Sequence, residues 1–311
     1  MPAFSDDYFC SSNGQTQIHV RRCIPDCEPR AIVQIAHGIA EHVRRYDDFA
    51  FFLAQNGIQV VANDHLGHGE SIMTEADLGF FAPVGGWDLV VGDMRKLYER
   101  THEELPSLPY FLFGHSMGSF LARSYLIKYP EGLAGALISG TAQQPGAILH
   151  AGFLMARRES KKFGVRYRSD RLYNMAFGNY NRRFEPRRTE CDWISRNTEV
   201  VDQYISDPLC GFVPTAGLLA DMMHGMAFNQ KRSNTQRMQK NLPVMFLSGD
   251  MDPVGDYGKG VVKAFQSFLE AGMADVSLKL YHDGRHEMLN ELNRDLVFGD
   301  IIGWLNGKLL K

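Results

Sequence analysis

The sequence predicts an α/β protein: a mostly parallel sheet with helices on both faces, interrupted by one inserted helical subdomain. Three observations carry this expectation. Short, near-continuous apolar and β-branched runs recur along the chain, as in strands buried on both faces. Longer segments with helical patterning separate them, and strand–helix alternation builds a parallel sheet. One interval of about a hundred residues then breaks the rhythm.

Taken in order, residues 15–24 read as an antiparallel hairpin strand at the start. Ile32–Ala36 and Ile58–Ala62 follow as strands, then Tyr110–Phe113, Ala136–Ile138, Val244–Leu247 and Val276–Leu280. Helices are expected over 43–56, 87–104, 117–129, 258–271 and 289–307. In the third of these, Met117, Phe120, Leu121 and Tyr125 fall at helical spacing. Between the strand ending near Ser139 and the one starting near Pro243, the chain is rich in Arg, Met and aromatics and lacks strand pattern. A loop of that length inside a compact domain implies an inserted subdomain. The expected division is a core of residues 1–141 and 241–311 and a lid of residues 142–240.

Composition narrows the function. Of 311 residues, 44% are hydrophobic and 22% charged, which is ordinary for a globular chain and excludes disorder. A net charge of −3 gives no reason to expect a nucleic-acid partner. The charge is uneven: residues 155–190 hold eleven Lys/Arg against four Asp/Glu. That stretch is either a solvated face of the insertion or a patch that meets anionic lipid headgroups or an anionic substrate. Five cysteines form no paired framework. Cys23 and Cys27 have the look of half a metal site, but no second Cys/His pair has matching spacing. All five read as free thiols in a reducing compartment. No signal-peptide pattern and no run of 18 apolar residues is visible, so the expected location is cytoplasmic.

The strongest chemical signal is Gly114-His115-Ser116-Met117-Gly118, placed between a strand and a helix. That context marks a nucleophile elbow. The serine occupies a strained turn that lifts its hydroxyl out of the sheet, and side chains at either flanking glycine would collide there. His115 adjoins Ser116, but its side chain is expected to point away from that of the nucleophile. A serine hydroxyl needs a base, and the base needs an orienting carboxylate; behind such an elbow they follow in the order acid, then histidine. The loop after Val244–Leu247 offers Asp250, Asp252 and Asp256. Asp252 is favoured because Pro253 stiffens its turn and keeps its backbone extended; Asp250 and Asp256 read as turn and cap residues. After the last strand come His282 and His286, and the loop position of His286 lets it reach over the sheet edge. Two N–H groups should hold the oxyanion: Met117, at the helix N-terminus, and Ile39, in the loop after Ile32–Ala36, where Gly38 permits the turn.

Together these residues resemble the monoacylglycerol lipase and lysophospholipase branch of the α/β hydrolases, which is sometimes grouped with serine aminopeptidases. Four stretches carry the likeness: His37–Tyr46, Asp64–Ser71, the Ser116 elbow, and Gly249–Val254. In the insertion it is looser, resting on Asp207–Phe212. The resemblance implies an eight-stranded sheet, with Ser116 as nucleophile, Asp252 as acid, His286 as base, and Ile39 and Met117 as oxyanion donors. It also implies a lipid ester substrate and no metal or organic cofactor. Ile39 stands where the family often has a smaller residue, which narrows the pocket. Asp64–Ser71 is expected to shape the site. A short-chain carboxylesterase, an aminopeptidase and a non-catalytic ligand-binding protein are the competing readings. The insertion's apolar residues (Phe153, Leu154, Met155, Phe177, Phe212, Leu218, Leu219, Met222, Met223 and Met226) either receive a long chain or pack the insertion's own core. Oligomeric state is not specified by any of these signals.

Overall fold

The strands' residue patterns place them at the centre of the molecule. The computed structural model describes residues 1–310. Its strands are β1 (Ala3–Cys10), β2 (Gln17–Ile24), β3 (Ala31–Ala36), β4 (Ile58–Asn63), β5 (Tyr110–His115), β6 (Gly135–Ser139), β7 (Val244–Gly249) and β8 (Val276–Tyr281). They form one eight-stranded sheet in the order β1-β2-β4-β3-β5-β6-β7-β8. β1 and β2 pair antiparallel, as do β2 and β4, and the rest of the ladder is parallel. Every residue of β3, β4, β5, β6 and β7 is buried, because helices cover both faces. Alternate side chains enter opposite cores: Ile32 and Leu112 join one, Val33, Phe111 and Phe113 the other.

The helices are α1 (Asp47–Gln55), α2 (Gly86–Glu104), α3 (Met117–Lys128), α4 (Gly146–Phe163), α5 (Asp170–Phe177), α6 (Thr198–Ser206), α7 (Ala216–Gln230), α8 (Arg232–Thr235), α9 (Lys259–Glu270) and α10 (Arg294–Leu309). Val90 and Met94 of α2, Phe120 and Tyr125 of α3, and Val261 and Phe268 of α9 build the first core. Phe49 and Leu53 of α1, with Val297 and Ile301 of α10, build the second. Helices α4 to α8 all lie between β6 and β7 and include no named strand. Their starts are encoded locally: Ser169, Asn197 and Thr215 side chains accept from the N–H groups of Leu172, Glu199 and Leu218, filling donors that a helix start leaves open.

Two helix starts differ from expectation. The segment predicted as a helix from residue 43 opens with a 3-10 turn, Val43–Tyr46, before α1. The last helix begins at Arg294, not at 289. There the buried Glu291 carboxylate accepts from the Arg285, Arg196 and Leu292 N–H groups, and these bonds hold the chain out of a helical path. Among the described residues no helix is long and apolar enough to cross a membrane.

Candidate active site

The elbow forms because β5 runs directly into α3 through Ser116, which sits at φ 53°, ψ −119°. A non-glycine residue in that region is strained by roughly 1–3 kcal/mol. Its neighbours hold it there: Ser116 N–H donates to the Ser139 carbonyl at 3.0 Å, and its own carbonyl accepts from Ser119 N–H at 2.9 Å and Ser119 Oγ at 2.6 Å. Both flanking glycines are required by space. A Cβ on Gly114 would lie 2.4 Å from the Gly118 carbonyl oxygen, and one on Gly118 would lie 2.0 Å from that of Ala36.

Behind the elbow, His286 and Asp252 meet. His286 Nδ1 is 3.0 Å from each Asp252 carboxylate oxygen. Asp252 is fully buried and also accepts from Val254 N–H at 2.9 Å and Ser248 Oγ at 3.3 Å. Nδ1 therefore carries the proton, which leaves Nε2 free to accept one. Burial alone would depress the imidazole's affinity for a proton; the adjacent Asp252 charge and its hydrogen bond outweigh this and raise the His286 pKa above 6.5. Ser116 and His286 both face a small cavity of about 20 Å³, room for one water. The alternatives lie elsewhere. His282 is 87% exposed and bonds to Asp250, whose other oxygen accepts from Asp283 N–H; this is a surface turn. Asp256 sits at φ 49° on the same loop.

The loop that carries Ile39 is oriented by a buried histidine. His37 Nε2 accepts from His65 N–H at 3.0 Å, so Nδ1 carries the proton and donates to the Gly38 carbonyl at 2.7 Å. Burial keeps His37 neutral, with its pKa pushed down to about 4. In a trans peptide the C=O and the next N–H point in opposite directions. Anchoring the Gly38 carbonyl therefore aims the Ile39 N–H away from His37, and a Cβ on Gly38 would meet Ser116 Cβ at 3.2 Å. Met117 is the first residue of α3, so its N–H has no partner within the helix. Ile39, Ser116 and Met117 share the wall of a single cavity. The Asp64–Ser71 loop supports this arrangement: Asp64 accepts from the Val43 and Glu70 N–H groups and from His19. Gly69 is needed because a Cβ there would lie 2.2 Å from the Asp64 carboxylate.

Several neighbours went unread in the sequence. His115 does not turn away from the site: its ring lies 4.7 Å from that of His286, in the wall of the small cavity. Arg45 binds Glu287 through both of its terminal nitrogens and Glu41 through one. Glu41 in turn accepts from Gly38 N–H and Tyr46 OH. One guanidinium thus links the loop carrying Ile39 to the residue after His286. From the insertion, Trp193 packs 5.1 Å from His286, and the Trp193 and Ile194 carbonyls accept from His286 and Glu287 N–H. The i,i+4 spacing of Glu41 and Arg45 was the one legible hint of this cluster.

The larger cavity, about 370 Å³, is lined by apolar side chains that include Met117, Met155, Met175, Met222, Met223 and Met226. The insertion's apolar residues serve two roles, and some serve both. Met223 and Met226 face this cavity; Leu219 and Phe153 pack the insertion's own core; Met155, Phe177 and Met222 line the cavity and pack on that core as well. Leu218 joins the main core, and Leu154 is exposed.

A model of the family described as serine aminopeptidase, S33, matches residues 27–293. The chain is 29% identical over 285 residues to a monoacylglycerol lipase of Mycolicibacterium smegmatis, covering 90% of each. It is 28% identical over 290 residues to the monoglyceride lipase of Homo sapiens, covering 91% of this chain and 84% of that one. Its structure superposes on a thermostable carboxyl esterase from Bacillus coagulans in complex with glycerol, with a TM-score of 0.92, 30% identity and 99% of each chain covered. Matched through most of its length, the chain belongs to the serine aminopeptidase S33 family of α/β hydrolases.

Proposed function

We propose that the chain is a serine ester hydrolase acting on a single-chain lipid ester, a monoacylglycerol or a lysophospholipid, through an acyl-enzyme. The observation that carries this reading is the position of Ser116: it stands in the wall of a methionine-lined apolar cavity and shares a second, small cavity with His286, whose Nδ1 is bonded to Asp252. His286 takes the Ser116 proton as Oγ attacks the ester carbonyl. The Ile39 and Met117 N–H groups hold the oxyanion, where each such donor is worth roughly 10²–10³ in rate. Protonated His286 gives its proton to the leaving alcohol, and water then attacks the acyl-enzyme by the reverse path. Side chains, the two backbone N–H groups and water carry every step of this scheme, which calls on no cofactor.

Residues 142–240 serve as the lid in this reading, and their outer face supports membrane contact. Ile148 and Met175 line the cavity and are more than half exposed, as are Leu154 and Phe163. Arg158, Lys161, Lys162 and Arg171 stand exposed nearby, and none forms an ion pair among the described residues. A greasy rim with a basic surround suits an anionic lipid surface.

The likeness to the Bacillus coagulans carboxyl esterase favours a second reading, hydrolysis of short-chain esters. An aminopeptidase needs a free anionic subsite for the substrate amine; the two buried carboxylates near Ser116, Glu41 and Glu287, are both taken by Arg45. Hydrolysis rates on monoacylglycerols, lysophospholipids and p-nitrophenyl esters of graded chain length are the test. A rate maximum at long acyl chains is expected. A maximum at acetyl or butyryl esters selects the short-chain reading, and failure to react with a fluorophosphonate removes catalysis by Ser116 altogether.

A further inference from the structure

We propose that His42, Asp207 and Cys210 form a binding site for one zinc-class divalent ion, joining the core to the insertion. Their ligand atoms (an imidazole nitrogen, a carboxylate oxygen and a thiol sulfur) all lie within 4.8 Å of one another. Nitrogen, oxygen and sulfur donors in one cluster are the set that zinc takes. His42 Nε2 and Asp207 Oδ2 stand 2.8 Å apart. Around a tetrahedral ion with bonds of about 2.0–2.3 Å, ligand atoms lie roughly 3.3–3.6 Å apart. The pair must open by about half an ångström, and the sulfur must close by no more than about 1.5 Å.

The site is built and not merely a surface coincidence. His42 and Cys210 are both buried, at 6% and 8% exposure, while Asp207 is half-buried. Asp207 accepts from Leu209 N–H through its other oxygen, and its carbonyl accepts from Cys210 N–H. The turn therefore presents carboxylate and thiol to the same point. A surface groove of about 380 Å³ reaches His42 and Asp207, providing a way in for the ion and room for a water as fourth ligand.

Charge balance supports the same assignment. The Cys210 thiol releases its proton to solvent when the sulfur–metal bond forms, and thiolate plus carboxylate then neutralise the dication. Gly211 N–H donates to the Ala40 carbonyl at 3.0 Å, so an ion here would pin the insertion to the loop carrying Ile39. None of this depends on the proposed ester hydrolysis.

The test uses the full chain, tag removed, titrated with zinc against a fluorescent chelator, and with cadmium while the ultraviolet thiolate–metal band is recorded. One ion per chain and a cadmium–thiolate band are expected. Cys210→Ser should abolish the band and weaken zinc by at least about 100-fold, and His42→Ala should weaken it comparably. His286→Ala, and the exposed-thiol variant Cys10→Ser/Cys27→Ser, should leave both signals intact. Should Cys210→Ser fail to fold by near-ultraviolet circular dichroism, Asp207→Asn takes its place. No zinc uptake below about 100 µM overturns the proposal. Uptake that survives Cys210→Ser and His42→Ala but disappears in His286→Ala places the metal on the base and overturns it equally.

Discussion

Arg45→Met tests how the two halves of the site are held together. The guanidinium is 10% exposed, and its partners Glu41 and Glu287 are 5% and 7% exposed. Removing it strands two carboxylates in a dry environment, and breaking a buried ion pair from one side costs roughly 3–5 kcal/mol. At an unfolding entropy of about 2.1 cal/mol/K per residue over 311 residues, that lowers Tm by about 5–8 °C. The pH dependence has a defined sign. Burial would raise Glu287, but Arg45 prevails and holds it below 4.5, so its stabilising contribution is present above 4.5 and lost as pH falls through the depressed value. Without Arg45, the effect of burial on Glu287 is opposed far less, so its carboxyl takes up a proton more readily and the buried charge is relieved as pH falls. The deficit should then be largest at pH 8 and shrink toward pH 5. Because Glu41 also holds the Gly38 N–H, kcat on a p-nitrophenyl ester should fall on the order of 100-fold. Neutralising the partners as well, in Arg45→Met/Glu41→Gln/Glu287→Gln, should restore most of the lost Tm. A single variant with Tm within 2 °C of wild type at pH 8 by calorimetry, and kcat within about twofold, refutes the clamp.

Three further outcomes follow from the site. Ser116→Ala should lower kcat on a p-nitrophenyl ester by about 10³-fold or more while leaving Tm unchanged or raised; retention of a tenth of the activity removes Ser116 as nucleophile. The acid limb of kcat/KM should lie above pH 6.5, since Asp252 raises His286, and Asp252→Asn should move that limb down while slowing turnover; a limb that stays put detaches Asp252 from the base. Hydrolysis of a long-chain monoacyl ester in anionic vesicles should fall as salt rises, and charge reversal at Arg157, Arg158, Lys161 and Lys162 should mimic the salt, with soluble esters unaffected. Equal salt dependence for both substrates leaves the basic stretch as a solvated face.

What the sequence made legible follows from how tightly chemistry constrains residue type. A strained turn with no room for side chains on either flank demands Gly114 and Gly118, so the elbow announces itself in five residues. The buried central strands read as apolar runs for the same reason. β1 did not, because six of its eight residues face solvent before Phe9, and polar strands carry no such pattern. Residues such as Met223 and Leu219 are indistinguishable along the chain: cavity lining and core packing ask for the same apolar side chains, and only their directions in space separate them. The Arg45–Glu287 contact joins residues 242 positions apart, beyond the reach of any local spacing.

The insertion touches the core unevenly, which determines what part of it is able to move. Helix α7 packs against α2 and α3, and its Asn229 bonds both the Ser124 hydroxyl and the Phe120 carbonyl in buried positions. Residues 193–196 are stitched to the loop of His286 by backbone bonds and by Arg285. By contrast, α4 rests chiefly on α7 and α5 on α4, with a small apolar cluster around Ala156 and Leu172 beneath them; the polar ties of the segment between them, Arg166 to Asp77 and Arg168 to the Leu78 carbonyl, are exposed or half-exposed. Exposed ion pairs contribute about 0–1 kcal/mol each, far less than a buried hydrogen-bonded network. Any opening of the large cavity should therefore be a motion of residues 146–178, with α7 and 193–196 remaining on the core. Amide hydrogen exchange should show α4 and α5 opening at free energies several kcal/mol below α7, and a fluorophosphonate with a long alkyl chain should protect α4 and α5 preferentially. Equal protection across α4, α5 and α7 would mean the insertion moves as one body or not at all, and the greasy rim at Ile148 and Met175 would then be a fixed mouth.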